Sequence, residues 1–121
     1  MSVMKRLGSS KPFLMVLIED IVAIGNLDAI LDVDDIDVFF VAPSDLAASM
    51  GHLGRVEHPE VQGTVDRALA RIQERGRVAG TLTTNDNVGK YAEAGVRFLF
   101  TLAENWIRAG ANEFQQRSQV K

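Results

Sequence analysis

The stretch from residue 37 to residue 51 reads DVFFVAPSDLAASMG, an uninterrupted apolar run followed at once by a turn. The run Val38–Ala42 holds only apolar residues, which is typical of a parallel strand buried on both faces. Pro43 ends the run, and the carboxylate of Asp45 follows shortly after it. In α/β proteins, chemistry collects at the carboxyl ends of strands, where the loops converge. This stretch therefore predicts a buried strand with a candidate functional carboxylate at its end.

Three similar apolar runs lie elsewhere in the chain, and a helix-length segment follows each run. The complete set is Phe13–Ile18, Val38–Ala42, Val78–Leu82 and Phe98–Leu102. Their alternation with helical segments predicts a β-α-β-α-β-α-β-α order with parallel strands and right-handed crossovers. We expect residues 12–121 to form one (βα)4 domain of the α/β class, preceded by a polar lead-in segment at residues 1–11.

The spacing of apolar residues marks the expected helices. The expected core-facing positions are Ile21, Ile24, Leu27 and Leu31 in the first helix, Val61, Val65, Ala68, Leu69 and Ile72 in the second, and Trp106, Ile107, Ala111 and Phe114 in the last. Pro59 suits the start of the second helix and Gly76 its end. Thr84 or Asn85 is expected to cap a shorter helix that ends near Gly95.

Four such units fit two architectures. They can form a small open sheet flanked by helices, or half of an eight-stranded barrel, because a complete (β/α)8 barrel needs about 250 residues. The periodicity of the 121 residues is compatible with both.

The composition excludes several classes of function. The formal charge of −3 is spread over interspersed acidic and basic residues, so there is no basic stripe for nucleic acid. The absence of cysteine excludes disulfides, thiolate metal sites and cysteine nucleophiles. The apolar runs are too short to span a bilayer, so we expect a cytoplasmic protein without a membrane partner.

Two carboxylates, Glu19 and Asp45, each follow a predicted strand. On neighbouring strand ends they can point into one crevice, and oxygen ligands of this kind suit Mg²⁺ or Mn²⁺. Carboxylates after strands also commonly serve as helix N-caps, so the spacing alone leaves both interpretations open.

Several segments together resemble the HpcH/HpaI aldolase family. They are VLIED at residues 16–20, NLDAIL at 26–31, DVFFVAPSDLAASMG at 37–51, GHLG at 51–54, HPEV at 58–61 and GTL at 80–82. The resemblance runs from about Pro12 to about Leu102 and implies the C-terminal half of a (β/α)8 TIM barrel. Members of the family cleave or form 4-hydroxy-2-oxo acids, with pyruvate as the common nucleophile.

The resemblance also implies site residues. Glu19 and Asp45 take the places of the ligands to a divalent metal ion (Mg²⁺, Mn²⁺ or Co²⁺), which would act as a Lewis acid. The backbone amides of Ser44 and Asp45 fall where the family binds the carboxylate of pyruvate, as adjacent amides can form an anion nest. Leu82, at the end of the implied seventh strand, is a further expected substrate-binding residue.

The chain departs from the family pattern at several points. In this register it begins at strand five, so the family's general-base histidine and oxyanion-binding arginine have no counterpart, and we identify no catalytic residue. Leu17 stands where the family usually has glutamine, and Ala42 replaces the usual glycine. We expect His52 and His58 to be loop or cap residues. The cations Arg55, Arg77 and Arg97 are expected on solvated faces.

These observations favour a metal-dependent aldolase that releases pyruvate and is incomplete as this chain. The alternative is a non-catalytic half-barrel or oligomeric binding module that keeps the metal carboxylates without turnover. An acyl-CoA lyase related to the citrate lyase β-subunit is a further alternative, although no basic cluster indicates a CoA phosphate site. Because a half-barrel leaves two strand edges and an apolar face uncovered, we expect a homo-oligomer or a complementary half-barrel chain as partner.

Overall fold

Strand β2 (Val38–Val41) is buried along its whole length, as its uninterrupted apolar sequence predicts. A computed structural model describes residues 11–119 of the chain. In it, β2 lies between β1 (Met15–Ile18) and β3 (Ala79–Leu82), and β4 (Phe98–Phe100) follows β3. All three pairings are parallel, in the order β1-β2-β3-β4. The predicted α/β class and all four predicted strands are confirmed, with slightly shorter bounds.

The helices of the described region alternate with these strands. They are α1 (Ile21–Gly25), α2 (Leu27–Leu31), α3 (Pro43–Ser49), α4 (Pro59–Glu74), α5 (Val88–Glu93) and α6 (Ala103–Ser118). Within residues 11–119, no helix combines the length and the apolar composition that a bilayer crossing requires. The expected lead-in segment at residues 1–11 lies almost entirely outside the described residues.

The longest buried helix, α4, forms as its sequence predicts. Pro59 occupies the first helical position, and its missing N–H costs nothing there. The predicted apolar face is buried throughout, at Val61, Val65, Ala68, Leu69 and Ile72. The helix ends before Gly76, whose φ of +70° is the left-handed conformation that glycine adopts easily.

The two faces of the sheet differ. Phe39 and Val41 of β2 point into the main core, where they join buried residues of the helices, including Leu46, Val65 and Ile72. Val38 and Phe40 point to the opposite face and form a smaller cluster with Ala42. Partly buried Val78, Leu82 and Phe98 pack against that cluster. The opposite face is apolar but incompletely covered, because Phe13, Leu17 and Phe100 are 38%, 49% and 45% exposed.

Three helix boundaries differ from the prediction. The first helical segment is interrupted at Asn26, which ends α1 and begins α2, because Gly25 and Asn26 are weak helix formers. Helix α3 was not predicted; Pro43 begins it, and burial of Leu46 and Ala47 anchors it. Asn87, not Thr84 or Asn85, occupies the N-cap position of α5, although its side chain makes no capping bond to the helix. Its Oδ1 instead accepts a hydrogen bond from the Thr84 N–H and holds residues 84–87 in a turn.

The predicted burial of the last helix is wrong. In α6, Trp106, Ile107 and Phe114 are 54%, 72% and 74% exposed, and Ala111 is exposed as well. The helix predicted from the apolar periodicity is present. Its apolar face is exposed because α6 follows the last strand of the described sheet, and no further strand lies beside β4 for the helix to pack against. Trp106 Nε1 instead donates a hydrogen bond to Asn85 Oδ1 over 3.0 Å.

The predicted exposure of Arg77 is also wrong. Arg55 and Arg97 are exposed as expected, but Arg77 is partly buried and donates hydrogen bonds to backbone carbonyls. It bonds to Leu31 O, to Val33 O at 3.0 Å and to Ile36 O at 3.3 Å. Its guanidinium carbon also lies 4.6 Å from the centre of the Phe39 ring. Arg77 therefore fixes the turn between α2 and β2 against the start of β3.

We expect Arg77→Met to lower the free energy of unfolding by about 1.5–3 kcal/mol, the usual contribution of hydrogen bonds to a charged group. The methionine fills similar volume but leaves partly buried carbonyls without donors. Urea denaturation followed by circular dichroism measures the change. Arg97→Met, at an exposed position, is the matched control and should shift stability by less than about 0.5 kcal/mol. Equal effects of the two substitutions would contradict the structural role of Arg77.

Candidate functional site at the carboxyl ends of the strands

The carboxyl ends of β2, β3 and β4 surround a cavity of about 190 Å³. The three expected substrate-binding residues, Ser44, Asp45 and Leu82, all line it. Its other lining residues are Leu17, Phe40, Ala42, Pro43, Phe100 and Leu102. The cavity thus has a mainly apolar wall and one polar corner at the start of α3, an arrangement typical of small-molecule sites.

Helix α3 creates the polar corner. Ala42 occupies the N-cap position, and Leu46 N–H makes a bond of 3.0 Å to Ala42 O. Pro43 has no N–H, so the amides of Ser44 and Asp45 are the first helical donors, and such donors have no partner within the helix. Both residues are exposed. Adjacent outward-facing amides of this kind can bind an anionic oxygen.

Glu19 lies at the same edge of the sheet. Ile18 pairs with Val41, and the Ala42 N–H donates to Ile18 O over 3.0 Å, so Glu19 and Ala42 leave the sheet side by side. Glu19 is exposed and does not belong to the lining of the 190 Å³ cavity. Asp20, not Glu19, caps α1, because its Oδ1 accepts a hydrogen bond of 2.7 Å from the Ala23 N–H. The capping interpretation therefore does not apply to Glu19.

The two departures from the family pattern both lie in the cavity wall. Leu17 of β1 and Ala42 after β2 line the same cavity as Ser44 and Asp45. Leu17 contributes apolar surface where an amide would hydrogen-bond, and the Ala42 methyl stands beside the first amides of α3. Leucine in place of glutamine makes this wall more apolar, and alanine in place of glycine adds a methyl group to it.

A second cavity, of about 200 Å³, shares Pro43, Ser44 and Leu82 with the first. It adds Val56, Glu57, Gln62, Thr84, Asn87 and Tyr91, none of which the sequence indicated as a site residue. The Tyr91 hydroxyl donates a long hydrogen bond of 3.5 Å to Gln62 Oε1, and burial raises the pKa of that hydroxyl. These residues come from helices and loops distant in sequence, so no local motif could identify them.

The two histidines lie in the loop between α3 and α4, as expected. His58 is the N-cap of α4, and its Nδ1 accepts a hydrogen bond of 3.2 Å from the Glu60 N–H. The His52 ring stacks on the His58 ring at 3.7 Å between centroids. His52 Nε2 lies 3.0 Å from Glu60 Oε2, and this hydrogen bond lowers the pKa of the Glu60 carboxyl. The cap role of His58 is confirmed.

Known proteins resemble this chain in sequence and fold over part of their length. The model of the HpcH/HpaI aldolase/citrate lyase family matches residues 5–101. A hydroxypyruvate/pyruvate aldolase of Roseobacter denitrificans is 44% identical over 87 residues, which is 71% of this chain and 34% of that protein. A 4-hydroxy-2-oxo-heptane-1,7-dioate aldolase of Escherichia coli is 39% identical over 100 residues, 82% of this chain and 38% of that protein.

Solved structures of the same family also match this chain. A HpcH/HpaI aldolase/citrate lyase family protein from Burkholderia cenocepacia matches with a TM-score of 0.80 and 30% identity, over 88% of this chain and 43% of that one. A HpcH/HpaI aldolase from Desulfitobacterium hafniense matches with a TM-score of 0.76 and 25% identity, over 90% and 44% of the two chains. The chain spans somewhat over a third of the length of the curated relatives it matches and less than half of these structures.

Proposed function

Because the chain belongs to the HpcH/HpaI aldolase/citrate lyase family, we propose that it carries the metal-binding and pyruvate-binding part of a carbon–carbon lyase acting on 4-hydroxy-2-oxo acids. The observation that carries the proposal is the convergence of Ser44, Asp45 and Leu82 on one cavity at the carboxyl ends of the strands. Relatives named as aldolases of hydroxypyruvate, pyruvate and 4-hydroxy-2-oxo-heptane-1,7-dioate support the substrate class.

The donor set fits a hard divalent cation such as Mg²⁺, Mn²⁺ or Co²⁺. Glu19 and Asp45 offer carboxylate oxygens from adjacent strand ends, both are exposed, and Asp20 already supplies the cap of α1. Two carboxylates together with substrate and water oxygens are a common ligand set for such ions. When bound, the ion supplies a Lewis acid that favours negative charge on the 2-oxo group of the substrate.

The chain's own residues bind and orient the substrate. In the proposed mode, the amides of Ser44 and Asp45 donate hydrogen bonds to the pyruvate carboxylate, which holds the 2-oxo acid at the start of α3. Leu82 and Leu102 form an apolar wall beside the reacting carbon. The methyl of Ala42 restricts the space beside the carboxylate.

We propose that the uncovered face of the sheet is closed by a second copy of the chain or by a complementary half-barrel chain. The incompletely covered face with Phe13, Leu17 and Phe100 supports this, as do the exposed apolar residues of α6. We propose that the protein is located in the cytoplasm.

A specific observation favours a second function, metal and 2-oxo-acid binding without turnover. Leu17, 49% exposed in the cavity wall, cannot orient a metal ligand as an amide side chain would. A chain of this kind would bind Mn²⁺ and pyruvate but release no pyruvate from 4-hydroxy-2-oxo acids.

Calorimetric titration with Mn²⁺ and pyruvate tests the proposal. Asp45→Asn and Glu19→Gln are each expected to weaken Mn²⁺ binding by more than about tenfold, because losing a direct ligand costs at least as much as losing an outer contact. Asp34→Asn is the matched control, since Asp34 is exposed in the turn before β2, far from the carboxyl ends of the strands.

Equal heats for wild type and Asp45→Asn would refute the metal site. A pyruvate-release assay on a 4-hydroxy-2-oxo acid then separates the two functions. Turnover supports the lyase, and Mn²⁺-dependent pyruvate binding without turnover, even at high protein concentration, supports the binding module.

A further inference from the structure

We infer that His52, His58 and Glu60 form a second metal site, selective for transition-type ions such as Zn²⁺, Co²⁺ or Ni²⁺. The three residues lie in the loop that joins α3 to α4 and in the first turn of α4. Each offers one ligand atom, and these atoms lie within 4.8 Å of one another. The site is separate from Glu19 and Asp45 and does not depend on the function proposed for them.

The separation of the donors suits a shared ion. His52 Nε2 and Glu60 Oε2 are 3.0 Å apart. Two ligand atoms bound at about 2.1 Å to one ion lie about 3.0–3.4 Å apart for right-angled to tetrahedral geometry. This pair can therefore accept an ion with little movement, whereas the half-buried His58 ring must rotate out of its stack on His52 before its nitrogen can point at the same ion.

The backbone of the loop that carries the two histidines is already ordered. The rings of His52 and His58 are stacked at 16° between planes. Backbone bonds from His52 N to Ala47 O and from His58 N to Arg55 O, 2.8 and 3.0 Å long, fix the loop at both histidines. Gly51 and Gly54 supply its turns with φ values of +81° and +74°. Binding therefore costs little ordering of the chain.

The present hydrogen bonds show what the ion replaces. An Arg55 N–H donates to His52 Nδ1 over 3.3 Å, so in the neutral ring the proton lies on Nε2 and points at Glu60. An ion bound at Nε2 takes the place of that proton. The Nδ1 atom then carries the hydrogen, and exposed Arg55 must turn away. The positive charge of Arg55 thus opposes metal binding, which gives a distinctive test.

The donor types determine the class of ion. Two imidazoles and one carboxylate are typical ligands of Zn²⁺, Co²⁺ and Ni²⁺, whereas Mg²⁺ prefers oxygen ligands alone. The Glu60 side chain is 70% exposed, so water can fill the remaining positions. Because Val56 and Glu57 of the same loop line the 200 Å³ cavity, an ion here would fix the wall of that cavity.

Titration with Co²⁺, followed by its visible absorption, tests the site in the full chain. A Glu19→Gln/Asp45→Asn background removes the carboxylate pair, and we expect one Co²⁺ with a visible band that Zn²⁺ displaces and Mg²⁺ does not. In that background, His52→Phe keeps the ring stack, and His58→Asn keeps a side chain that caps helices well. Each is expected to weaken Co²⁺ binding by more than about tenfold.

Arg55→Ala should instead tighten Co²⁺ binding, because it removes a competing cation and frees His52 Nδ1. Circular dichroism of each variant confirms that the fold is retained. A double-background protein that shows no Co²⁺ band, or binds Co²⁺ equally well after His52→Phe and His58→Asn, would overturn the inference. Neither result affects the Mn²⁺ and pyruvate titration, so the two proposals can fail independently.

Discussion

Replacing Phe39 with alanine is expected to lower the free energy of unfolding by about 3–5 kcal/mol, the range for removal of a buried aromatic ring. Phe39 is fully buried at the centre of the sheet, within the main core. The substitution removes both its packing and the ring beneath the Arg77 guanidinium. The cavity cannot collapse readily, because paired strands flank β2 on both sides. Urea denaturation of the purified chain measures the change.

Phe100→Ala is the matched control for Phe39→Ala. It removes the same side chain from strand β4, where the ring is 45% exposed and contacts Phe40 edge-on. Its expected cost is about 1 kcal/mol, in proportion to the smaller buried area. If the two substitutions destabilise the chain equally, Phe39 is not at the centre of the core.

Gly80→Ala is expected to cost about 1–3 kcal/mol, because it forces a methyl group into a packed sheet. A Cβ at this position would lie 2.9 Å from Phe98 Cβ, 3.0 Å from Val38 Cγ1 and 3.1 Å from Phe98 O. Two of these atoms are the carbonyl oxygen and Cβ of Phe98 in the paired strand, and the third is a methyl of fully buried Val38, so none can move aside cheaply. The same urea titration detects the loss.

Gly110→Ala provides a control of opposite sign. Gly110 lies inside α6, and an added Cβ there meets nothing within 4 Å. Alanine should raise helix stability by about 0.5–1 kcal/mol, because glycine loses more conformational freedom on folding. A destabilising Gly110→Ala or a neutral Gly80→Ala would contradict the packing described for these two positions.

Strand β2 was predictable because burial on both faces leaves an uninterrupted apolar run in the sequence. The run Val38–Ala42 contains no polar residue, and in the structure only Ala42 separates the end of β2 at Val41 from the start of α3 at Pro43. The exposure of the apolar face of α6 was not predictable from the sequence. The spacing of Trp106, Ile107 and Phe114 specifies an apolar helix face, but what covers that face depends on which strands lie beneath it. That information is not local.

Some residues of the candidate site were likewise predictable from the sequence, and others were not. Asp45 was indicated by its place after a strand, whereas Ser44 and Leu82 were expected only from the family resemblance. Parallel pairing brings all strand ends to one edge, where the three residues line one cavity. Arg77 was misjudged because its acceptors, such as Leu31 O and Val33 O, lie on a distant turn. Gln62 and Tyr91 were missed for the same reason, since they meet only across the second cavity.

The sequential strand order also has a consequence for folding kinetics. Each strand pairs with the next one along the chain, but the loops that must close differ in length. Joining β3 to β4 closes the shortest loop, and joining β2 to β3 closes the longest, which contains both α3 and α4. Loop-closure entropy rises with loop length, so the β2–β3 contact is entropically the most expensive one to form. Early formation of α4 shortens the flexible part of that loop, and the transition state for folding should therefore contain a structured α4 docked on β2.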